Sequence, residues 1–383
     1  TGKDAIAAGV CALANQLGAL AYGGYAKATG INSTAMGASS QALGTNSLSL
    51  GENSKATEND AFAAGAKASA TGNGSMALGE QANASKNNAT AIGTQSLASG
   101  VNAIAIGTQT IANSNDSFAG GFNASALALN AMALGSSANA SGQDAYAAGL
   151  LSEASGSNSL ALGTQATASQ ESAYAAGSRA NASGIKSMAL GFRSIASNTS
   201  SYAAGTCADA SGANAMALGT AAISSAGSSF AAGHFANASG SNSTAIGTYA
   251  AASAADAYAV GFFASASATN ALAFGPTANA SGVNSIALGS DASAKETNAF
   301  AAGVDSIAQG INSMALGTKA YALEDGSIAY GVATQSLGNN TSAFGTNAKA
   351  NGTDAIAFGH NANANAAETI AFGSNSNAQA DSA

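Results

Sequence analysis

The chain has few of the residues that build a deep globular core or a chemical site. Its 383 residues include no tryptophan, one proline, two cysteines and two histidines, and only 8% are charged. A compact domain of this length needs large aliphatic and aromatic side chains, whereas the 46% hydrophobic share here is mostly alanine. We therefore expect a thin core, and the low charge would be compatible with disorder if the pattern described below were absent.

The charges that are present exclude several partners. The net charge is −8 and the charged residues are scattered singly, so nucleic acid and anionic membrane surfaces are poor partners. No apolar run is long enough to span a bilayer, and the first residues lack the charged and apolar regions of a signal peptide. We expect no direct membrane insertion by this chain. Its N-terminal sequence fits an excised mature fragment and a cytosolic protein alike, and we expect the chain to be a segment of a longer surface protein.

A strict repeat dominates the sequence. Glycine recurs every 14 residues from Gly9 to Gly373, which makes 27 repeats without an insertion or deletion. With this glycine numbered position 0, alanine stands at −2 except at Ser49, and at +5 except at Ser224 and Ser336. Position +3 is always Ala, Ser or Thr, and a second glycine is frequent at +7. Such regularity predicts a repeat architecture over residues 1–383 as one continuous array.

The repeat predicts two short strands and two tight turns. Positions −3 to −1 and +3 to +5 both alternate with period two, and glycine, asparagine or serine bounds each segment. Stacking the units in register pairs each strand with its counterpart one repeat later. The prediction is an all-β fold, a parallel β-solenoid of 27 coils. At about 4.8 Å per coil its length would be roughly 130 Å.

Two assignments of the interior are open. Large residues at −3, such as Phe62 and Tyr146, precede a small residue at −1, whereas medium residues such as Met76 and Leu78 occur together. We predict that −3 and −1 face the interior and that the variable, often polar +4 faces water. The alanine at −2 would then face a neighbouring chain, because a bare methyl group kept in 26 of 27 repeats implies close contact. The reverse, with −2 inside and −3 and −1 at the seam, also needs a partner.

The predicted seam consists of the alanines at −2, and we name eight of them. They are Ala77, Ala105, Ala133, Ala161, Ala189, Ala217, Ala287 and Ala315.

The units NSLALG at 158–163, NAMALG at 214–219, NSTAIG at 242–247, NSIALG at 284–289 and NSMALG at 312–317 carry a family resemblance. With the linking A-x-A-S-G segments, they resemble the head repeats of YadA-like trimeric autotransporter adhesins. The resemblance implies a left-handed parallel β-roll, a homotrimer, and exposure outside a Gram-negative bacterium with the anchor elsewhere. It also implies adhesion to extracellular matrix, host cells, surfaces or sister cells. The family's neck, stalk and membrane barrel do not occur in these residues.

Exposed aromatic residues at +1 and +2 are the one departure that indicates recognition. Bulky apolar side chains on a polar rod suit a ligand, or packing against an adjacent chain. These candidates are Phe122, Phe192, Phe235, Tyr249, Phe262 and Phe263.

Other chemistry is weak in the sequence. His234 and His360 lie nine repeats apart, and Cys11 and Cys207 lie fourteen apart, roughly 67 Å in a solenoid. That distance excludes a disulfide within one chain. Stacked acids such as Asp291 and Asp305 have no cleft around them. We expect no cofactor, no metal and no enzyme activity. A structural filament or fibre subunit acting mainly as a spacer is the alternative to an adhesin.

Overall fold

The computed structural model describes residues 2–379 and divides the chain into two compact units, Thr1–Arg193 and Ser194–Ala383. Each unit repeats one coil that contains a strand of three residues, here called the long strand, and a strand of two residues, the short strand. The prediction of a single array over 1–383 stays a prediction.

In unit 1 the long strands are Ile6–Ala8, Leu20–Tyr22, Thr34–Met36, Leu48–Leu50, Phe62–Ala64, Met76–Leu78, Thr90–Ile92, Ile104–Ile106, Phe118–Gly120, Met132–Leu134, Tyr146–Ala148, Leu160–Leu162, Tyr174–Ala176 and Met188–Leu190. The short strands of unit 1 are Leu13–Ala14, Lys27–Ala28, Gln41–Ala42, Lys55–Ala56, Ser69–Ala70, Asn83–Ala84, Leu97–Ala98, Ile111–Ala112, Ser125–Ala126, Asn139–Ala140, Glu153–Ala154, Thr167–Ala168 and Asn181–Ala182.

In unit 2 the long strands are Tyr202–Ala204, Met216–Leu218, Phe230–Ala232, Thr244–Ile246, Tyr258–Val260, Leu272–Phe274, Ile286–Leu288, Phe300–Ala302, Met314–Leu316, Ile328–Tyr330, Ser342–Phe344, Ile356–Phe358 and Ile370–Phe372. The short strands of unit 2 are Ile195–Ala196, Asp209–Ala210, Ile223–Ser224, Asn237–Ala238, Ala251–Ala252, Ser265–Ala266, Asn279–Ala280, Ser293–Ala294, Ile307–Ala308, Tyr321–Ala322, Gln335–Ser336, Lys349–Ala350, Asn363–Ala364 and Asn377–Ala378.

The strands stack in parallel with a register of one repeat. The long strand Met76–Leu78 pairs with Phe62–Ala64 on one side and with Thr90–Ile92 on the other, residue for residue. The N–H of Met76 donates to the carbonyl of Ala89 at 2.9 Å, which ties two successive coils together. Each unit therefore consists of two parallel sheets, one of long and one of short strands, and the predicted β-solenoid fold is confirmed.

Each coil is made of two similar halves of seven residues. In the coil from Gly79 to Ile92, the N–H of Ala82 donates to the carbonyl of Gly79 at 3.2 Å, and seven residues on the N–H of Ala89 donates to the carbonyl of Lys86 at 3.1 Å. The residue before each donor is left-handed, with φ of 59° at Gln81 and 57° at Asn88. The turns at +1/+2 and +8/+9 thus share this hydrogen bond and this left-handed residue.

Only small side chains fill the interior. Positions −4, −2, +3 and +5 face inward and are buried in all but the end coils, and the largest fully buried side chains among the described residues are threonines. Two tight turns separated by one short strand bring the sheets too close together for anything larger. Close packing of this kind leaves no room for the leucine, methionine or phenylalanine at −3 and −1.

This arrangement corrects the sequence-based assignment of inside and outside. The residues at −3 and −1 lie on the outer face of the long strands, whereas the alanines at −2 are buried within their own chain. The predicted seam alanines are wrong for this reason. The ones concerned, Ala77, Ala105, Ala133, Ala161, Ala189, Ala217, Ala287 and Ala315, are each 0% exposed. The close neighbour that their methyl groups require is the opposite sheet of the same coil.

The three exceptions to the alanine rule follow one pattern. Ser49, Ser224 and Ser336 are fully buried, and each hydroxyl pairs with another buried hydroxyl five residues later. The Oγ–Oγ distances are 2.7 Å for Ser49 with Ser54 and 2.6 Å for Ser224 with Ser229. A buried hydroxyl is tolerated when it has such a partner. Because i and i+5 link the two halves of the coil, these pairs connect the sheets.

The position-0 glycine is required by both conformation and space. Gly79 has a φ of 131°, a region that side chains rarely adopt, and a Cβ added to it would lie 2.6 Å from the carbonyl oxygen of Gly93 in the next coil. Any other residue would strain the turn and push successive coils apart, which explains why the repeat keeps this glycine 27 times.

Candidate inter-chain face and ligand-binding edge

The outer face of the long strands is apolar and carries no charge. Across the 27 repeats, positions −3 and −1 hold only aliphatic, aromatic, methionine, glycine, threonine and serine residues. Many of the large ones are exposed, among them Met36, Met132, Tyr258 and Phe274. Within each unit, an apolar surface of this kind is unusual on a soluble monomer and marks an interaction site.

Volume exchange between −3 and −1 evens out this outer face. The ring of Phe118 reaches along its strand, so that a Cβ added to Gly120 would lie 3.2 Å from the Phe118 Cε1 atom. An aromatic residue at −3 therefore occupies the space above a small residue at −1. The compensation of side-chain volume between −3 and −1 therefore keeps the outer face of the long strands even, and it does not fill a core.

The last coils of unit 2 depart from this even surface. Tyr330, Phe344, Phe358 and Phe372 all stand at −1, and their successive ring centroids are 6.4, 6.0 and 5.2 Å apart. The first three of these rings and Val332 line a shallow apolar groove of about 470 Å³, together with glycines at position 0. The groove continues the apolar face and belongs to the same surface.

The other outer surfaces carry charge. Position +4 on the short strands includes Lys27, Lys55 and Glu153, as the sequence predicted for a face in water. Both turns carry charged residues as well, among them Glu80 and Arg179 at +1 and +2. The uncharged outer face of the long strands is thus distinct from every other surface of the coil.

The six predicted aromatic residues are exposed, but the structure does not bring all of them together. Phe122 and Phe192 lie in unit 1, where the Arg193 guanidinium sits 5.2 Å from the centre of the Phe192 ring. Phe235, Tyr249, Phe262 and Phe263 lie in unit 2 on three consecutive coils and contact one another. Their part in binding stays a prediction.

His234 belongs to this group of rings, which sequence reasoning missed. Its imidazole lies 4.3 Å from the Phe235 ring, edge to face, and 5.8 Å from the Tyr249 ring. The signal was available, because His234 occupies the same +1 position as Phe262 and precedes an aromatic residue at +2.

Amide ladders run along the turns. The Gln95 side chain donates to Gln81 and the Gln109 side chain donates to Gln95, at 3.3 and 3.2 Å, which forms a glutamine ladder at position +2. A second ladder at −5 joins Asn270 and Asn284 at 3.0 Å. Ladders of this type stabilise stacked strands, so these amides are structural.

Reactive groups are sparse in the part of the chain that the structure describes. Cys11 and Cys207 are free and exposed at left-handed turn positions. No group of three or more His, Cys, Asp or Glu side chains in residues 2–379 is placed to hold a metal ion. Within the same residues there is also no helix suited to crossing a membrane.

Two carboxyl groups have shifted acidity. Burial raises the pKa of Asp209, which stands between Ile195 and Ile223 on the short-strand face and is opposed only partly by a hydrogen bond with Ser211. Hydrogen bonds from Thr277 and Ser290 lower the pKa of Asp291. Each shift has a local structural cause.

These features define a class: a parallel β-solenoid repeat protein with one uncharged apolar face. Fifteen stretches between residues 28 and 376 match a family model that describes two copies of the YadA head domain repeat. They are 28–51, 42–68, 70–96, 98–124, 126–149, 154–180, 168–194, 182–208, 210–234, 224–250, 252–278, 280–307, 308–334, 336–362 and 350–376. The chain belongs to the YadA head domain family.

Comparison with solved structures finds three matching chains. One is the crystal structure of the collagen-binding domain of the Yersinia adhesin YadA, which is 29% identical over 37% of this chain and 78% of that chain, with a TM-score of 0.29. The comparison with curated proteins finds no match.

Proposed function

We propose that this chain is the head of a bacterial cell-surface adhesin and that three copies associate through the outer faces of their long strands. Membership of the YadA head family supports adhesion as the general role. The outer face of the long strands supports the association, because it is the surface that carries no charge in any of the 27 repeats.

The physical reason for association is the thin core. A coil whose interior holds only alanine, serine and threonine buries little apolar area of its own. The large side chains at −3 and −1 remain in water unless other copies cover them. Covering them stabilises the fold and the assembly together, as in obligate oligomers.

The adhesive surface is then what the association leaves exposed. The turns and the short-strand face are repeated along each unit, so many weak contacts can add up to strong binding through avidity. The extracellular ligand class is an extracellular matrix protein, a host cell, an abiotic surface or a sister cell, and the location is the outside of a Gram-negative bacterium.

The test is adhesion by the purified chain. Beads coated with the chain are expected to adhere to surfaces bearing extracellular matrix proteins, with type I collagen, fibronectin and laminin as separate probes. Beads coated with a variant carrying Met132→Glu and Leu134→Glu serve as the control for assembly, because avidity requires it. Absence of adhesion to all three matrix probes, to epithelial cells, to plastic and to beads coated with the same chain would contradict the proposal.

A further inference from the structure

Five rings form a single cluster on one edge of unit 2, here called the turn cluster: His234, Phe235, Tyr249, Phe262 and Phe263. Phe235, Tyr249 and Phe263, all at +2, stack with interplanar angles of 7° and 9° and centroid distances of 5.2 and 4.7 Å. The rings therefore follow the coils, one per coil. His234 and Phe262, both at +1, stand at 79° and 90° to the stacked rings.

The turn cluster lies outside the proposed inter-chain face. Positions +1 and +2 carry charged residues in other coils, including Glu80, Arg179 and Lys319, whereas −3 and −1 carry none. The rings of the turn cluster stand on the turn between the two strands, and Phe262 is 53% exposed, so they are open to a ligand.

The residue types at +2 are not chosen for folding. Phe235, Tyr249 and Phe263 have φ of 54°, 57° and 54°, a left-handed conformation that is unfavourable for bulky side chains. In most other coils this position holds a polar or charged residue. Three strained aromatic residues in succession, none of which fills the core, indicate a role in contact outside the chain.

The surroundings select a neutral ligand. From Thr220 to Thr277, positions +1 and +2 contain no acid, lysine or arginine, and they do contain the hydroxyls of Thr248 and Tyr249 beside the rings. Aromatic surface bordered by hydroxyl and imidazole groups suits a ligand with apolar faces and a polar rim. A pyranose sugar has this character, with C–H groups on its faces and hydroxyls around its edge.

The spacing of the cluster selects an extended chain of sugars. The stacked rings at +2 lie one above another along the coil axis, so the planes of these rings are perpendicular to that axis. The +1 rings are perpendicular to the stacked rings, and their planes are therefore parallel to the coil axis. His234 and Phe262 are two coils apart, roughly 9.6 Å, with Thr248 between them. In an extended β-1,4-linked glycan every second sugar presents the same face, and that repeat is close to the two-coil spacing.

We propose that the turn cluster binds a neutral, extended β-1,4-linked oligosaccharide lying along the +1 positions. Sugar faces contact the rings of His234 and Phe262, and the stacked rings at +2 form the wall beside them. The proposal deepens the adhesive function proposed above, on which it rests, by naming one ligand class.

The test measures binding of cellohexaose, chitohexaose and maltohexaose to the purified full chain by calorimetry and by saturation-transfer NMR. We expect at least one β-1,4-linked hexamer to bind and the α-1,4-linked maltohexaose, which is not extended, to bind at least tenfold more weakly. Phe262→Ala and His234→Ala are each expected to weaken binding at least fivefold. Phe192→Ala removes an exposed +1 ring in unit 1 and is the matched control, with unchanged affinity.

A second variant keeps the test independent of folding. Tyr249→Asn places at +2 a residue that the left-handed conformation accepts, so we expect an unchanged fold and weaker glycan binding. Failure of both β-1,4-linked hexamers to bind, or equal binding by wild type and the His234 and Phe262 variants, overturns the site. Adhesion of the chain to matrix, cells or surfaces without glycan binding overturns only this inference, and glycan binding without such adhesion overturns only the wider function.

Discussion

The long and short strands differ much more in the side chains on their outer faces than in the side chains that they direct inward. Long and short strands follow the same half-coil pattern, with small residues facing inward and the same left-handed turn before each. Outward, the long strand presents Met76 and Leu78, whereas the short strand that follows it in the chain presents Asn83. The interior is set by closure of the coil, whereas we propose that each outer face is matched to what covers it, another chain or water.

The largest expected effect comes from placing charge on the apolar face. Met132→Glu with Leu134→Glu should break the assembly and lower the stability of the fold with it, since an unpaired buried carboxylate costs about 3–5 kcal/mol and the fold and the assembly are stabilised together. Sedimentation velocity would report the loss of assembly. The matched change on the other face, Ser69→Glu beside Lys55, should leave the assembly intact. Equal effects of the two changes would remove the distinction between the faces.

A core substitution tests which side of the long strand faces inward. Ala161→Leu inserts a large side chain between the sheets and should destabilise folding by about 3 kcal/mol, seen as a lower thermal midpoint by circular dichroism. Leu162→Met, one residue along on the outer face, should change the midpoint little. A chain that folds normally with Leu at position 161 but no longer assembles would instead place Ala161 at the seam.

A smaller effect is expected from the buried hydroxyl pairs. Ser224→Ala removes the hydrogen bond to Ser229 and should destabilise by about 1 kcal/mol. Because the two hydroxyls are coupled, Ser229→Ala should lower the free energy of unfolding less in the Ser224→Ala variant than in the wild-type chain. A double-mutant cycle by urea unfolding would measure this difference. Strict additivity would mean that the pair does not connect the two sheets.

The smallest expected effect concerns the two shifted carboxyl groups. Burial between Ile195 and Ile223 raises the pKa of Asp209 above its usual 3.8, so the folded state resists its ionisation and loses stability as pH rises through the folded pKa. Asp209→Asn should therefore raise stability at neutral pH. The pKa of Asp291 is lowered, so its contribution is lost as pH falls, and Asp291→Asn should lower stability at neutral pH. Thermal midpoints at pH 3 and pH 7 would show whether the signs are opposite.

Much of the fold follows from the repeat alone, but the inside of the coil does not. Alternation shows that Met76 and Leu78 lie on one side of a strand and Ala77 on the other, without saying which side is buried. The usual preference for large apolar residues in cores favours the wrong choice here, because the sheets are too close for any side chain larger than threonine. The similarity of the two half-coils, with Ala82 and Ala84 repeated as Ala89 and Ala91, was the missed signal.

The candidate surfaces were predictable to different degrees. Phe262 and Phe263 stand out because they interrupt a polar turn, whereas the mutual packing of His234, Phe235 and Tyr249 depends on side-chain orientation that spacing does not determine. The outer face of the long strands, which we propose as the inter-chain face, followed from the sequence only through the second of the two assignments, with −2 inside and −3 and −1 outside.

The mass of the assembled wild-type chain in solution tests the central claim most directly. If the outer faces of the long strands are covered by other copies, sedimentation equilibrium at micromolar concentration should give three times the mass of one chain. A stable, folded single chain at that concentration, with its apolar face in water, would contradict the account.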